Sequence, residues 1–263
     1  RMRVGAGPNP NPAPVQSSVK LDQLTIGIGF DEPGLGLKTG DTYSGFDVET
    51  AKYVAKALGV PEDKITWKES NGGNRVPMLT SGEVDLVVST FTITPERQQQ
   101  VDFAGAVLPG APGPAGTAQR NRDHGGRRPS TSACCARSRA PPRPTTSSSS
   151  TGGRIDLKEM PRWADCVAAL NNSEVDAVST DDVILAGFAA QPEYRGKLKV
   201  VGKGFSDERY GIGVKKGNTA LVEAVNAALK QYVSDGSWKN ALNITVAPSG
   251  YALPSRRAPA PPD

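Results

Sequence analysis

Residues 20–105 alternate between short apolar runs and a stretch in which apolar residues recur at helical spacing, a pattern that predicts strands and helices in turn. Asp47 and Glu49 stand where acidic side chains favour the positive end of a helix dipole. The predicted elements are strands at Leu24–Phe30, Ile65–Lys68 and Val84–Ser89 and helices at Val48–Leu58 and Asn74–Ser81. This order predicts a βαβαβ unit with right-handed crossovers.

A second series of alternating elements begins at residue 163. It predicts helices at Trp163–Leu170 and Val183–Ala190, strands at Val175–Ser179, Leu198–Val201 and Tyr210–Val214, and a long terminal helix that begins at Asn218 or Thr219. The apolar stripe of that last helix is formed by Leu221, Val225, Ala228 and Tyr232. We therefore expect a second α/β unit.

Residues 106–151 depart from this pattern. Of these 46 residues, 38 are Ala, Pro, Gly, Arg, Ser or Thr, and the only large aliphatic residues are Val107 and Leu108. The segment carries seven Arg and one Asp, so the rest of the chain has a net charge of −2 although the whole chain is at +4. Because no basic stripe remains in the patterned part, the charge does not support a nucleic-acid-binding protein.

Length and composition bound the class further. A chain of 263 residues with 37% hydrophobic residues can bury an ordinary core. No apolar run is long enough to span a membrane and no intact export signal is present, so we expect any such signal to have been removed. The three cysteines fit one disulfide and a spare thiol, or no disulfide.

The segment Thr90–Phe103 (TFTITPERQQQVDF) follows a predicted strand and contains residues suited to hold a carboxylate. Pro95 is typical of the first position of a helix, where backbone N–H groups point outward. The Thr92 hydroxyl, this helix N-terminus and the bidentate guanidinium of Arg97 would together form a carboxylate receptor. A surface arginine paired with Glu96 or Asp102 is an equally supported alternative.

A second candidate group, Ser179–Asp182 (STDD), ends a predicted strand at the edge where open α/β sheets present groups to a ligand. One aspartate would take an ammonium group, and the other would cap the helix that follows. Because Asp182 is closer to the start of that helix, we assign Asp181 to the ligand and Asp182 to the cap.

Five strings follow one another along the chain: GFDVETAKYVAKALGV, GEVDLVVSTFTITPERQQQVDF, VDAVSTDDVILAG, YGIGVKKGN and SDGSW. Together they resemble the family-3 extracellular solute-binding proteins of polar amino-acid ABC importers. FDEPGLGLKTGD and STDDVILAG are similar to the glutamate-binding lipoproteins of high-GC bacteria within that family. The resemblance covers about residues 20–105 and 152–250. It implies an α/β, two-lobed periplasmic-binding-protein-like fold of type II, with a hinge of two crossing strands and one amino acid clamped in the cleft.

The resemblance also implies roles for the candidate residues. Thr92 and Arg97 would hold the α-carboxylate of the amino acid, together with backbone from Ser89 or Thr90. Asp181 would take the α-ammonium from the other lobe.

Two further residues bear on the choice of ligand. Arg75 matches a position that meets the side-chain carboxylate in glutamate and aspartate binders, although a solvated helix arginine is the alternative. Glu32 stands where many relatives have Gln, and its charge would repel an acidic ligand.

Function and partners follow from the same resemblance. We expect an extracytoplasmic protein that captures glutamate, or else aspartate or glutamine, and delivers it to the permease of an ABC importer. It would be a monomer without cofactor or metal, would bind no nucleic acid, and would meet the membrane only through an N-terminal lipid anchor. The predicted organisation is a tether at 1–19, lobe one at 20–105 and 205–250, lobe two at 106–204, and a disordered tail at 251–263.

Two other classes compete with this interpretation. An enzyme on the same fold, similar to cyclohexadienyl dehydratase, would need a positioned acid, for which Glu32 and Glu69 are the candidates. The only histidine, His124, lies in the anomalous segment, and no Ser-His-Asp set or zinc-ligand spacing can be assembled. A receptor ectodomain would require a transmembrane or kinase segment, and none is present in this sequence.

The anomalous segment stands where relatives have a hinge strand and a central strand of lobe two, in a segment of similar length. Reading Ala106–Thr117 one base later permits PYYLAHQDLLVR, and reading Cys135–Pro144 two bases later permits CSVSGSTPA, both of which are expected of relatives. We therefore predict a frame-shifted product whose lobe two is incomplete, with exposed strand edges at 175–179 and 198–201, and which cannot close on a ligand. Relatives join a Cys of the CSVSG string to the one matching Cys166, and here we expect Cys166 to be free.

Overall fold

The computed structural model describes residues 12–108, 116–119, 133–138, 155–201 and 208–253, with the side chains of residues 116–119, 133–138 and 155–157 left out. The predicted tail beyond residue 253, the first eleven residues of the predicted tether and most of the anomalous segment lie outside this description. Within the described ranges no helix has the length and hydropathy that crossing a bilayer requires.

Strands and helices alternate through both halves of the described chain. The strands are β1 (Leu24–Ile28), β2 (Asp31–Glu32), β3 (Gly36–Thr39), β4 (Thr42–Ser44), β5 (Ile65–Glu69), β6 (Leu86–Val87), β7 (Val101–Leu108), β8 (Gly116–Gln119), β9 (Ala133–Ser138), β10 (Ile155–Met160), β11 (Ala177–Thr180), β12 (Lys199–Val201) and β13 (Tyr210–Lys215). The helices are α1 (Phe46–Ala57), α2 (Arg75–Ser81), α3 (Pro95–Gln98), α4 (Trp163–Asn171), α5 (Asp182–Ala189), α6 (Thr219–Ser234) and α7 (Ser237–Thr245).

The first sheet has the strand order β5-β1-β6-β13-β7. β1 pairs in parallel with β5 and β6, and β13 runs antiparallel to β6 and β7. The predicted βαβαβ unit is therefore confirmed, and α1 buries Val48, Ala51 and Ala55 completely, at positions on its predicted apolar stripe. We call this sheet, with α1, α2, α3, α6, α7 and the small sheet β2-β3-β4, the first unit.

The terminal helix α6 begins where the sequence predicts. Asn218 is its N-cap residue, and the side-chain oxygen of Asn218 accepts a hydrogen bond from the Leu221 N–H at 3.3 Å. The predicted apolar stripe is buried, so α6 packs on β7 and on α1. The chain thus returns to the first unit with β13 and stays there through α6.

A small antiparallel sheet, β2-β3-β4, lies between β1 and α1 and was not predicted. Its strands have only two to four residues and are largely polar, so they carry no period that a sequence pattern could reveal. This sheet matters for the site because it carries Asp31 and Glu32.

The second sheet has the order β10-β9-β11-β8-β12, and every pair in it is antiparallel. The prediction that the strand near 175–179 would expose its edges is wrong, because β11 pairs with both β9 and β8. The strand near 198–201 pairs with β8 on one side and, as β12, forms an edge of this sheet. β8 and β9 both come from the anomalous segment. The sequences GTAQ and ACCARS contain no proline, so each residue keeps the backbone N–H that a ladder requires, although the surrounding residues are rich in proline. We call this sheet, with α4 and α5, the second unit.

The prediction of a free Cys166 is also wrong, because Cys166 is disulfide-bonded and fully buried. The other two cysteines of the sequence, Cys134 and Cys135, lie in β9, which is close to α4. A regular strand fixes the backbone in a way that a coil does not, so a disulfide between Cys166 and one of the cysteines of β9 is geometrically feasible.

The two units meet along the start of α4 and the face of α5. The Ala164 N–H donates to the Asp31 carboxylate at 3.0 Å, and the guanidinium of Arg162 binds both carboxylate oxygens of Glu69 at 2.7 and 2.9 Å. On α5, Gly187 lies so close to the carbonyl oxygen of Pro33 that a Cβ atom at this position would be 2.1 Å from it. These contacts set the arrangement of the residues described next.

Candidate functional site

The predicted carboxylate receptor has the local structure that its sequence implies. Thr94 is the N-cap residue of α3, its hydroxyl accepts the Arg97 N–H at 3.3 Å, and Pro95 is the first helical residue. The Arg97 Nη1 atom donates to the Thr92 carbonyl at 2.7 Å. Arg97 is half-buried, and the nearby acid Asp102 forms an ion pair with Lys216.

Arg75, at the first position of α2, is not a solvated helix residue. Only 6% of its surface is exposed. Its Nε atom donates to the Asn71 carbonyl at 3.0 Å, and its Nη1 atom donates to the Thr90 carbonyl at 3.1 Å. The solvated alternative is therefore excluded.

The ring of Phe91 joins the two arginines. The guanidinium carbons of Arg75 and Arg97 each lie 5.2 Å from the centroid of this ring, which is completely buried. Phe103 contacts the same ring edge-on, with the centroids 4.8 Å apart. Both cationic groups are thus held against one aromatic platform.

Ser89 and Thr90 lie at the end of β6 and are almost completely buried. The Ser89 hydroxyl donates to the Ser70 carbonyl at 3.3 Å. Thr90 donates its N–H to Asp47 at 3.1 Å and its hydroxyl to Glu32 at 3.2 Å. Both donors of Thr90 are therefore engaged by protein, which leaves the predicted backbone contact to the ligand better suited to Ser89.

Glu32 and Asp47 form a buried acidic pair beside Arg75. Burial raises the pKa of Glu32 to about 8, and the nearby Asp47 carboxylate adds to this rise. Burial also raises the pKa of Asp47 to about 7, against the opposing effects of the Thr90 N–H and the Arg75 charge. The raised pKa favours the protonated form of Glu32 near neutral pH, and in that form its carboxyl group carries no charge that would repel an acidic ligand.

Asp181 lies at the start of α5 in the second unit. It occupies the N-cap position, which corrects the assignment of the cap to Asp182, because the Asp181 carbonyl accepts the Leu185 N–H. The Asp181 carboxylate makes no capping hydrogen bond but accepts the Tyr210 hydroxyl at 2.6 Å. The Asp182 carboxylate instead accepts the Val183 N–H and the hydroxyl of Tyr251.

The charges of Arg75, Arg97 and Asp181 act on one another. Burial lowers the pKa of Arg75, and the charges of Glu32, Asp181 and Asp47 oppose that effect. Burial, and then the charge of Arg75, lowers the pKa of Arg97 to about 10, and the charges of Glu208 and then Asp181 act in the opposite direction. Two guanidinium groups of the first unit therefore lie within electrostatic range of a carboxylate of the second, an arrangement that suits the two ends of a zwitterion.

A separate cavity of about 860 Å³ lies between α1 and α7. It is lined by Glu49, Lys52, Tyr53 and Tyr232, among others, and by none of the six predicted site residues. In the part of the chain that the structure describes, no group of three or more His, Cys, Asp or Glu is arranged to hold a metal ion. The candidate site is therefore the junction of Arg75, Arg97 and Asp181.

Sequence patterns single out the arginines and Asp181 as candidates, but not Asp47 or Tyr210. The pattern assigns Asp47 to the helix dipole, and nothing in the neighbouring sequence signals that this residue is only 6% exposed. Tyr210 was assigned to a strand, and its hydroxyl reaches Asp181 only because β13 begins at the junction of the two units. Neither contact has a local sequence signature.

Comparison with known proteins gives a consistent result. Residues 24–243 match the family model of the bacterial extracellular solute-binding proteins, family 3. The chain is 32% identical over 242 residues to the glutamate-binding protein GluB of Corynebacterium efficiens, covering 86% of this chain and 79% of that protein. It is 34% identical over 229 residues to the glutamine-binding protein GlnH of an ABC transporter of Bacillus subtilis, covering 82% and 78%. Among solved structures, an ancestral arginine-binding protein bound to glutamine superposes with a TM-score of 0.65 at 26% identity, covering 86% of this chain and 99% of that one.

Proposed function

The chain belongs to the bacterial extracellular solute-binding proteins of family 3, and we propose that it captures glutamate, or a closely related polar amino acid, for an ABC importer. The two α/β units are the lobes of a type II periplasmic-binding-protein fold. In the proposal, the amino acid occupies the junction between them and holds them together. The protein acts outside the cytoplasm as a monomer attached by an N-terminal lipid anchor, and it delivers its ligand to the permease.

The convergence of Arg97 and Asp181 from different units carries the proposal. Arg97 is fixed by Thr92 and by the ring of Phe91, so its remaining N–H donors are oriented before a ligand arrives. Asp181 is oriented by Tyr210. We assign the α-carboxylate of the ligand to Arg97 and Thr92, with backbone from Ser89, and the α-ammonium to Asp181.

Arg75 would select an acidic side chain. Its guanidinium has five N–H donors, and two of its nitrogen atoms already hold backbone carbonyls, so the group is rigid. A buried carboxylate that lost this partner would be left unpaired, which is costly. The names of the two relatives above, a glutamate-binding and a glutamine-binding protein, support this ligand class.

The engagement of the acidic side chains favours binding over catalysis. Glu32 is 2% exposed and accepts the Thr90 hydroxyl, and Glu69 pairs with Arg162. Both carboxyl groups that a dehydratase would use are therefore already bound to protein groups, so neither is left free to act on a substrate.

Titration calorimetry of the full chain with glutamate, glutamine, aspartate and arginine tests the proposal. Arg97→Ala should abolish binding, because it leaves the ligand carboxylate without its charged partner, and Asp181→Asn should weaken it strongly. Arg195→Ala is the matched control, since Arg195 is exposed and its guanidinium donates to the backbone carbonyl of Ala190, which is not a predicted site residue. Unchanged affinity in Arg97→Ala would contradict the site assignment.

The role of Arg75 is tested by a ratio of affinities. Arg75→Ala should reduce the affinity for glutamate far more than the affinity for glutamine. The ratio is informative even if the substitution loosens the whole site, because a general effect would lower both affinities alike. Equal losses would make Arg75 a structural residue only.

A further inference from the structure

Thr90 has an unusual backbone conformation at the centre of the site. Its φ angle is +41°, in the left-handed region that β-branched residues rarely occupy. In the described ranges Ser173 is the only other non-glycine residue with a positive φ. A strained residue of this kind persists only when its surroundings hold it in place.

Each polar group of Thr90 is held by a different buried, ionisable side chain. Asp47 accepts its N–H at 3.1 Å, Arg75 donates to its carbonyl at 3.1 Å, and Glu32 accepts its hydroxyl at 3.2 Å. These three side chains are 6%, 6% and 2% exposed, and they come from α1, α2 and β2. We call Glu32, Asp47 and Arg75 the clamp.

The clamp acts on the residues that would bind the ligand. Thr90 is followed directly by Phe91, whose ring contacts both arginines, and by Thr92, whose carbonyl holds Arg97. A relaxed, extended conformation at Thr90 would redirect the chain at this point and move both residues relative to β6. The orientation of Arg97 therefore depends on the φ angle of a residue that does not touch it.

We propose that Glu32, Asp47 and Arg75 are positioning residues that hold Thr90 in the left-handed conformation and thereby set the geometry of the carboxylate receptor. The inference rests on the proposed function, because the receptor is defined by the ligand it serves. It assigns Thr90 to the architecture of the site instead of to direct contact with the amino acid.

Calorimetry of four variants of the full chain with glutamate tests the inference. Asp47→Asn keeps an oxygen acceptor for the Thr90 N–H and should bind within about threefold of the parent, whereas Asp47→Ala should bind at least about tenfold more weakly. Thr90→Gly added to Asp47→Ala should restore most of the lost affinity, because glycine adopts a positive φ without strain. Thr90→Ala added to Asp47→Ala removes the same hydroxyl but keeps the steric penalty, so it should not restore binding.

Equal rescue by glycine and alanine would overturn the inference, and so would parental affinity in Asp47→Ala. If Asp47→Ala fails to fold, the single variants decide: Thr90→Gly should melt at a higher temperature than Thr90→Ala, and the reverse order would overturn the inference. If the parent binds no amino acid, the proposed function fails, but the order of these two melting temperatures still tests the clamp.

Discussion

Replacing Gly187 with alanine should block the meeting of the two units while leaving each unit intact. Gly187 lies within α5, and a Cβ atom there would be 2.1 Å from the carbonyl oxygen of Pro33 and 3.2 Å from its carbonyl carbon. Ordinary contact requires at least 3.4 Å, so the atoms must move apart by more than 1 Å. A backbone carbonyl cannot rotate away as a side chain can, so the units themselves must separate.

The size of the effect follows from two opposing terms. Overpacking of this kind costs about 1–3 kcal/mol, which corresponds to a loss of affinity of roughly 5- to 150-fold if the clash exists only in the ligand-bound arrangement. In the helix itself, alanine is favoured over glycine by about 1 kcal/mol. We therefore expect weaker binding together with equal or greater stability of the ligand-free protein.

Calorimetry with glutamate and thermal unfolding without ligand measure the two terms separately. Gly73→Ala is the matched control, because Gly73 is exposed and an added Cβ would meet nothing closer than the Asn71 Oδ1 atom at 3.5 Å. Unchanged affinity in Gly187→Ala would refute the reasoning. A lower melting temperature of Gly187→Ala without ligand would also refute the reasoning, because it would mean that the two units are already in contact at Gly187 in the ligand-free protein.

Three further predictions concern protonation, the disulfide and the second sheet. Because burial raises the pKa of Glu32 to about 8, the folded state binds this proton more tightly than the unfolded chain, and the free energy of unfolding should fall as pH rises from about 5 to about 8. Urea titrations of Glu32→Gln should show a shallower fall with pH, although the charges of Asp47, Arg75 and Asp31 remain near this position. An unchanged slope would argue against a buried, protonated Glu32. Mass spectrometry of non-reduced peptides should find Cys166 linked to Cys134 or Cys135, and a free Cys166 would contradict the bond. Hydrogen exchange should show protection of Ala177–Thr180 as well as Leu24–Ile28, because β11 is paired on both sides. Rapid exchange confined to Ala177–Thr180 would support the frame-shifted interpretation of residues 106–151.

The fold of the first unit could be predicted because its signals are local. The apolar stripe of α1 and the N-cap at Asn218 are each contained within a few residues of sequence. The second sheet could not be predicted in the same way. Its strands β8 and β9 rest on backbone pairing, which depends on the absence of proline and on partners far along the chain, and not on a pattern of apolar side chains.

The candidate site likewise has a part that could be predicted from local sequence and a part that could not. Thr92, Thr94 and Arg97 belong to one short segment, so their grouping follows from sequence. The burial of Asp47 and its bond to Thr90 join residues 43 positions apart, and such contacts exist only once the sheet has formed. Sequence therefore indicates which groups are candidates to meet the ligand, but not which groups hold those candidates in place.

The bond from the Ala164 N–H to Asp31 means that a helix of one unit takes an acceptor for its first turn from the other unit. The ion pair between Arg162 and Glu69 lies beside this bond and likewise requires one residue from each unit. The two units are consequently not interchangeable modules. A chimera that combined this first unit with the second unit of a relative would keep Arg75 and Arg97 but lose these matched contacts, unless the residues at both positions were transplanted together.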